Sequence, residues 1–384
     1  MGNYLVLGAG KMGVVLARDL LESDVRNSVT LVDYDRKQLK TASALIQYKR
    51  LSLIQANVEE KGQRDGVFKD QDVVLSALLH KHSLLAMEAA VQAGLHFVDL
   101  VGEFTAARQE FDARARKKGL TLLSGMGVSP GITNVCVGRG VHLLDRTDKA
   151  LIHVGGVPVQ PKPPLKYRIL YAVNSLLGLY QRQVPILLGG RAKTVPPLSG
   201  VESVSFSAPF SEMECFFTDG LNSLIQTMKG KVREELWEKT IRHKGHAEEI
   251  KTLRDCGLFS TRPVLVGGEK VVPRRVLEVL LDSRLKLGKE RDATLLRVIV
   301  IGQKSGKTRT HVFEMVDHFD EHKGFTSMAK TTSFPASIAA QMIVSGEIRR
   351  RGSLFPENVF HSRLYEPFMA ALKKRGVLIT HKVH

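Results

Sequence analysis

The chain is poor in cysteine and in aromatic residues, and it has no long apolar run. Its three cysteines in 384 residues, Cys136, Cys215 and Cys256, are widely spaced and odd in number, with no Cys-x-x-Cys pair. That spacing points to neither a disulfide framework nor a zinc site, and no metal is expected. No stretch is apolar over the length that a spanning helix needs, so no membrane contact is expected. The first residues enter a strand and a glycine loop where a secreted protein would carry a signal peptide, and the expected location is cytoplasmic. Only 6% of residues are aromatic, which leaves little material for base stacking. That scarcity matters because the net charge is +17, a balance met in many nucleic-acid binders. The basic residues fall in short scattered clusters, such as Arg349-Arg350-Arg351 and Lys373-Lys374-Arg375. No zinc-finger spacing and no RNP-type motif accompanies them. The charge reads as attraction for small anions, and nucleic acid is not an expected partner.

What remains is an ordinary globular mixture, 43% hydrophobic and 25% charged, long enough for two domains. The first third alternates strand and helix signals. Strands are expected at 4–7, 29–32, 51–56, 72–75, 96–99 and 120–124, with helices at 11–21, 36–48 and 83–93. Such alternation predicts an α/β fold, a Rossmann-type doubly wound parallel sheet. Near Gly125 the character changes, with clusters of Gly, Pro and Ser. The β-rich runs 295–301 and 310–316 flank a glycine-containing linker and read as a hairpin. A second α+β domain with a mainly antiparallel sheet is expected there. A small-residue helix over 335–345 should return to the first domain. The expected division is 1–124 with 332–384 for the dinucleotide-binding domain, and 125–331 for a substrate and dimerisation domain.

Gly8-Ala9-Gly10-Lys11-Met12-Gly13 lies between the first strand and the first helix, where a dinucleotide fingerprint belongs. Gly8 suits the tight turn, Gly10 the approach of a pyrophosphate, and Gly13 the packing of helix on strand. Lys11 and Met12 sit in the same cradle, at a helix N-terminus whose N–H groups favour anions. Asp33 ends the second strand, twenty residues beyond Gly13, where a carboxylate accepts from ribose hydroxyls. It would repel an added phosphate, so NAD is expected, with NADP possible through Arg36 and Lys37. Ligands of such sheets lie at the carboxyl ends of the strands. Ser76, Ala77 and Leu78 are therefore expected near the nicotinamide ribose. Asp99, with Gly102 and Glu103 close behind, is a candidate for cofactor contact or catalysis, or else for a helix cap.

Longer segments resemble the saccharopine dehydrogenase-like family, and within it are most similar to its lysine 6-dehydrogenase branch. They include VLGAGKMG at 6–13, AGLHFVDLVGE at 93–103, GVSPGITN at 127–134, VGGVPVQPKPPLKY at 154–167 and KTIRHKGHAE at 239–248. The resemblance implies a homodimer. It also implies NAD-dependent oxidative deamination of the lysine ε-amine to 2-aminoadipate 6-semialdehyde, which cyclises to a piperideine carboxylate. It places Val128, Ser129 and Pro130 beside the cofactor, and Thr218 and Asn222 beside the substrate. The 167–180 and 218–222 segments match the lysine-specific pattern loosely, so a saccharopine-type C–N oxidoreductase using NADP is an alternative. A non-catalytic dinucleotide sensor is another.

Oxidation at a C–N bond needs a neutral amine, hence a proton acceptor. A substrate carboxylate suits the planar fork of an arginine. Arg242 is expected to bind that carboxylate, and His246, whose side chain ordinarily titrates near neutrality, to carry the proton. The competing role for His246 and Glu248 is to cap the helix that follows, while His243 and Lys244 should face solvent. Two look-alikes are set aside. The 302–308 stretch is a residue short of a P-loop and joins strands. His246-x-Glu248 lacks the Pro-Cys-x-x-Cys of zinc deaminases.

Overall fold

The computed structural model describes residues 1–102 and 106–384, so Glu103 lies outside the described residues. Seven strands form one sheet, in the spatial order Gly352–Leu354, Thr121–Leu123, His96–Asp99, Val73–Ser76, Asn3–Leu7, Ser28–Asp33, Leu51–Gln55. Every pair is parallel. The order reverses between Asn3–Leu7 and Val73–Ser76, and ligands of doubly wound sheets bind outside the strand ends at such a point. The two strands at the reversal are apolar on both faces, and Leu5, Val6, Leu7, Val73, Val74 and Leu75 are all fully buried. Helices cover both sides, which is why no polar alternation appears.

Nine strands form the second sheet. Its long central members are Val232–His243, Arg146–Pro158, Asp292–Lys304 and Lys307–His318. Only the first two of these run parallel to each other, and the remaining pairs are antiparallel. The expected hairpin is present and longer than its apolar runs. Ser305 and Gly306 make its turn with φ of 51° and 74°, as a type I′ turn requires. The P-loop look-alike therefore belongs to this hairpin.

The helix expected from Pro335 instead runs Ser327–Val344, with Pro335 inside it. Its start is set by side chains that a search for helix-breaking residues misses. Thr326 Oγ1 accepts from the Ala329 N–H, and the Asp292 carboxylate accepts from the N–H groups of Ser327 and Met328. The first-turn donors are thus satisfied well before the proline. Ser333 donates to the Met12 carbonyl at 2.9 Å, and Ser337 to Asp19 at 2.5 Å, which seats this helix on Lys11–Ser23. One apolar cluster runs from Val6 and Leu75 through Ile338 and Ala339 to Val298 and Phe313. The two sheets therefore share a core, with a groove between them. The strand Thr380–Val383 pairs with Lys307–His318, so the end of the chain crosses to the second sheet. Among the described residues no helix is long and apolar enough to cross a membrane.

Candidate active site

Three cavities follow one another along the groove. The outer one, about 330 Å³, is lined by Asp33, Tyr34, Asn57, Glu59, Leu78 and His82. The middle one, about 720 Å³, is bounded by Gly10 to Gly13, Ala77 and Leu78 on one side. Tyr171, Ser175 and Lys286 of the second domain face them. The inner one, about 380 Å³, is walled by Met12, Val128, Ser129, Pro130, Asn222, Glu238 and Arg242, among others. Leu78 borders the first two cavities, and Met12, Tyr171 and Ser175 border the last two, so they form one track.

The residues of the track fit a dinucleotide. Gly8 has φ of +96°, and a Cβ on Gly13 would stand 1.7 Å from the Gly8 carbonyl oxygen. The loop and the helix Lys11–Ser23 can meet this closely only through glycine. A Cβ on Gly10 would meet nothing within 4 Å, which leaves that side of the loop open for a phosphate. Asp33 fastens the loop: one oxygen accepts from the Ala9 N–H at 2.7 Å and the other from the Asp35 N–H at 2.8 Å. Lys11 reaches across to within 3.5 Å of the Ile169 carbonyl, and burial lowers its pKa. Ser76, expected here, is buried and lines none of these cavities; Ala77 and Leu78 take its place.

Asp99 has a different role from the one expected. It is 0% exposed; Oδ2 accepts from Arg108 at 2.9 Å and Ser83 at 2.6 Å, and Oδ1 accepts from the Gly125 N–H. The carboxylate ties the strand end to the turn after Thr121–Leu123 and does not border the inner cavity. Thr218 is likewise corrected: its hydroxyl pairs with Thr240 at 2.8 Å, and it is fully buried behind the wall.

The strand Val232–His243 supplies one wall of the inner cavity. Side chains alternate across a strand, so Glu238, Thr240 and Arg242 share a face, and all three line the cavity. Arg242 lies over the Tyr167 ring at 4.7 Å, donates from Nε to the Tyr180 oxygen at 3.2 Å and from Nη1 to the Ile241 carbonyl at 2.7 Å. Burial opposes its charge, but the hydroxyls of Tyr180, Tyr167 and Tyr171 more than offset that and raise its pKa.

His246 sits behind this arginine. Its Nδ1 is 2.8 Å from the Leu165 carbonyl, which can only accept, so Nδ1 carries the hydrogen. Nε2, 2.9 Å from the Tyr180 hydroxyl, is then the acceptor. Burial, followed by the Arg242 charge, pushes the His246 pKa down to about 3. A ring so fully committed orients Tyr180 and Arg242 and does not carry a proton at neutral pH. The helix His246–Asp255 is capped by neither His246 nor Glu248. The Glu214 carboxylate accepts from the N–H groups of Gly245 and Ala247 instead. His243, expected in solvent, is buried and bonded to the Pro158 carbonyl.

Glu238 was missed by residue type. It is 4% exposed, with Oε2 accepting from the Ser129 hydroxyl at 2.6 Å. Burial raises its pKa to about 7, against the Ser129 bond and with help from Asp219. Asp219 also borders the cavity and pairs with Arg182 at 2.8 Å. The inner cavity thus offers two arginines, two carboxyls and several hydroxyls. Such a set suits a zwitterion with carboxylates at separate points.

Comparison with known proteins agrees with this architecture. The saccharopine dehydrogenase NADP binding domain model matches residues 4–123, and the saccharopine dehydrogenase C-terminal domain model matches residues 127–377. The saccharopine dehydrogenase [NADP(+), L-glutamate-forming] of Saccharomyces cerevisiae is 22% identical, over 99% of each chain. The mitochondrial alpha-aminoadipic semialdehyde synthases of Bos taurus and Mus musculus are 21% and 23% identical over 98% of this chain. The chain spans about half the length of these synthases, 47% of each. The solved apo saccharopine dehydrogenase from S. cerevisiae superposes with a TM-score of 0.83 at 20% identity over the whole of both chains, and shares the fold.

Proposed function

Because the chain belongs to the saccharopine dehydrogenase family, we propose that it is an NADP-linked oxidoreductase acting on the secondary C–N bond of saccharopine or a close analogue. The observation that carries this reading is the track itself. It runs from Asp33, past the glycine loop, into a cavity walled by Arg182, Arg242 and a buried carboxyl. Gly10 to Gly13 would hold the pyrophosphate, and Ala77, Leu78, Val128, Ser129 and Pro130 would border the nicotinamide half. Arg242 would grip a substrate carboxylate, presented by Tyr180 and His246, with Asn222 beside it. The bound nicotinamide supplies hydride acceptance. The protein's share is orientation, exclusion of water and handling of one proton.

NADP in place of the expected NAD is supported by the matched NADP binding domain and by the NADP(+) in the name of the yeast relative. Both Asp33 oxygens are engaged by backbone N–H groups, and Arg36 and Lys37 open the helix that follows. One observation favours a second reading, lysine ε-deamination with NAD. Asp33 and Glu59 line the outer cavity, and among the described residues no arginine or lysine does, which suits an unphosphorylated ribose.

Four parallel assays decide between them: saccharopine or lysine, each with NADP+ or NAD+, followed by formation of reduced nicotinamide. The proposal expects saccharopine with NADP+ to be the fastest pair. Lysine with NAD+ as the fastest pair would replace it with the second reading, and no turnover in any of the four would defeat both. A homodimer belongs to the same proposal and is read by sedimentation.

A further inference from the structure

We propose that Glu238 is the catalytic proton carrier of this site, held for that task by Ser129 and by the space left at Gly220. The assignment rests on the C–N oxidoreductase reading above and adds the group that makes the substrate nitrogen reactive. The sequence offered Asp99 as a catalytic, cofactor-binding or capping candidate and His246 as the proton carrier. The first is sealed in an ion pair, and the second is locked as a neutral ring.

Geometry singles out Glu238. It borders the inner cavity, on the same strand face as Arg242 and two residue pairs along from it. One oxygen is fixed by Ser129, whose hydroxyl receives in turn from Thr133 at 3.0 Å. The other oxygen lies over Gly220, where a Cβ would stand 1.7 Å away. Any residue but glycine at 220 would drive the carboxyl from its place. Among the described residues no lysine, arginine or histidine forms an ion pair with Glu238. The other carboxyl of the cavity, Asp219, has Arg182 as its partner.

Among the described residues the charged groups around Glu238 are few. Asp219 faces it from the turn after Met213–Phe217, with Arg182 beyond it, and Arg242 lies on its own strand. The neighbouring strand contributes Val154, Gly155 and Gly156 to the cavity, and the helix Ser327–Val344 contributes Met328 and Thr332. None of these titrates. An unpaired carboxyl in such a site exchanges its proton near neutrality, consistent with a pKa of about 7 caused chiefly by burial.

In the oxidative direction the substrate's secondary ammonium gives one proton to the Glu238 carboxylate and becomes a neutral amine. The electron pair of the adjacent C–H bond leaves as hydride to the nicotinamide, and a C=N bond forms with the nitrogen positive. Glu238 releases its proton to solvent. Water then adds to the carbon, and Glu238 relays one of its protons to the nitrogen. As the C–N bond breaks, the second water proton also ends on the nitrogen. The products are an aldehyde and an ammonium, with one proton released overall and one hydride transferred.

The test uses the full chain and the isosteric variant Glu238→Gln. Saccharopine oxidation should slow by about 10²- to 10⁴-fold, the range for losing a positioned general base. NADPH affinity, read by fluorescence titration, should stay within about twofold, since Glu238 lies beyond the glycine loop. The rise of kcat/KM through pH about 7 should disappear in the variant, and Glu238→Asp should recover part of the rate. A Gln variant that kept its rate within tenfold and retained the pH limb would overturn the assignment. A second measurement needs no substrate. Infrared difference spectra should show a protonated carboxyl band in the wild type that vanishes through pH about 7 and is missing from the variant. Identical titrating bands in both proteins would also overturn it. If the wild type turned over no substrate, the functional reading would fail, and the infrared band would then decide alone whether Glu238 exchanges a proton near neutrality.

Discussion

On the nucleotide-domain side of the groove, Asp99 is wholly buried, with Arg108, Ser83 and the Gly125 N–H bonded to its two oxygens. On the facing wall, Glu238 is almost as buried, yet among the described residues its hydrogen-bond partner is a single hydroxyl, that of Ser129. Both are buried carboxyls, but only Glu238 borders the inner cavity. The first is surrounded by donors to the charged form and has become part of the scaffold. The second is paired with no cation among the described residues and keeps a proton that can move. Burial alone therefore does not mark a functional acid; the partner count at equal burial does.

The largest expected effect tests the scaffold half of that contrast. Asp99→Asn keeps the shape but removes the charge beside buried Arg108, and should cost about 3–5 kcal/mol of unfolding free energy. Urea denaturation at neutral pH measures it, and a loss below about 1 kcal/mol would mean that Asp99 is not structural. The opposite sign is expected at Glu238. Its folded pKa, about 7, lies above the ordinary 4.5, so the folded state holds the proton more tightly. Wild-type stability then falls as pH climbs from about 4.5 to about 7 and stays low above that. Glu238→Gln does not titrate and should be the more stable protein above neutrality, by an amount on the order of 3 kcal/mol at most. Melts at pH 5 and pH 8 read the difference. A gap that did not widen with pH would remove the distinction drawn between the two carboxyls.

The same contrast shows which parts of the site could be read from sequence. The glycine loop was legible because its determinants are local: Gly8 to Gly13 and the Asp33 carboxylate, which reaches back to the Ala9 N–H. Arg242 drew attention by residue type, and the structure places it on the wall of the inner cavity. Glu238 was within reach, since it precedes Thr240 and Arg242 at the two-residue period of a strand face, but residue type drew attention to His246 instead. Histidine suggests a neutral-pH proton carrier only until its surroundings are known. Here those come from Leu165 and Tyr180, 81 and 66 residues away in the chain. Ser129 and Glu238 are 109 residues apart. The doubly wound sheet was legible from strand and helix alternation. Its seventh strand, Gly352–Leu354, was not, because three residues carry no period. The early start of the Ser327–Val344 helix was hidden for a related reason: Asp292, which caps it, belongs to another strand.

Smaller effects separate binding from proton transfer on the Glu238 wall. Arg242→Lys keeps the charge and loses the planar fork held by Tyr180 and the Ile241 carbonyl. The loss should be about 1.5 kcal/mol, seen as a tenfold rise in KM for the amino acid with kcat little changed. A fall in kcat with unaltered KM would move Arg242 from substrate binding to the chemical step.

The smallest change is expected at His246. With the ring neutral above pH about 3, no catalytic pH limb near neutrality can come from it. His246→Gln preserves an acceptor for the Tyr180 hydroxyl and a donor for the Leu165 carbonyl, so it should lower kcat/KM by about tenfold or less. The pH profile should keep the limb assigned to Glu238. A loss of two or more orders of magnitude together with that limb would return the proton to His246 and make Glu238 the structural member of the pair. The two variants therefore sort the wall by rate and by pH at once, and only one of Glu238 and His246 can own the limb.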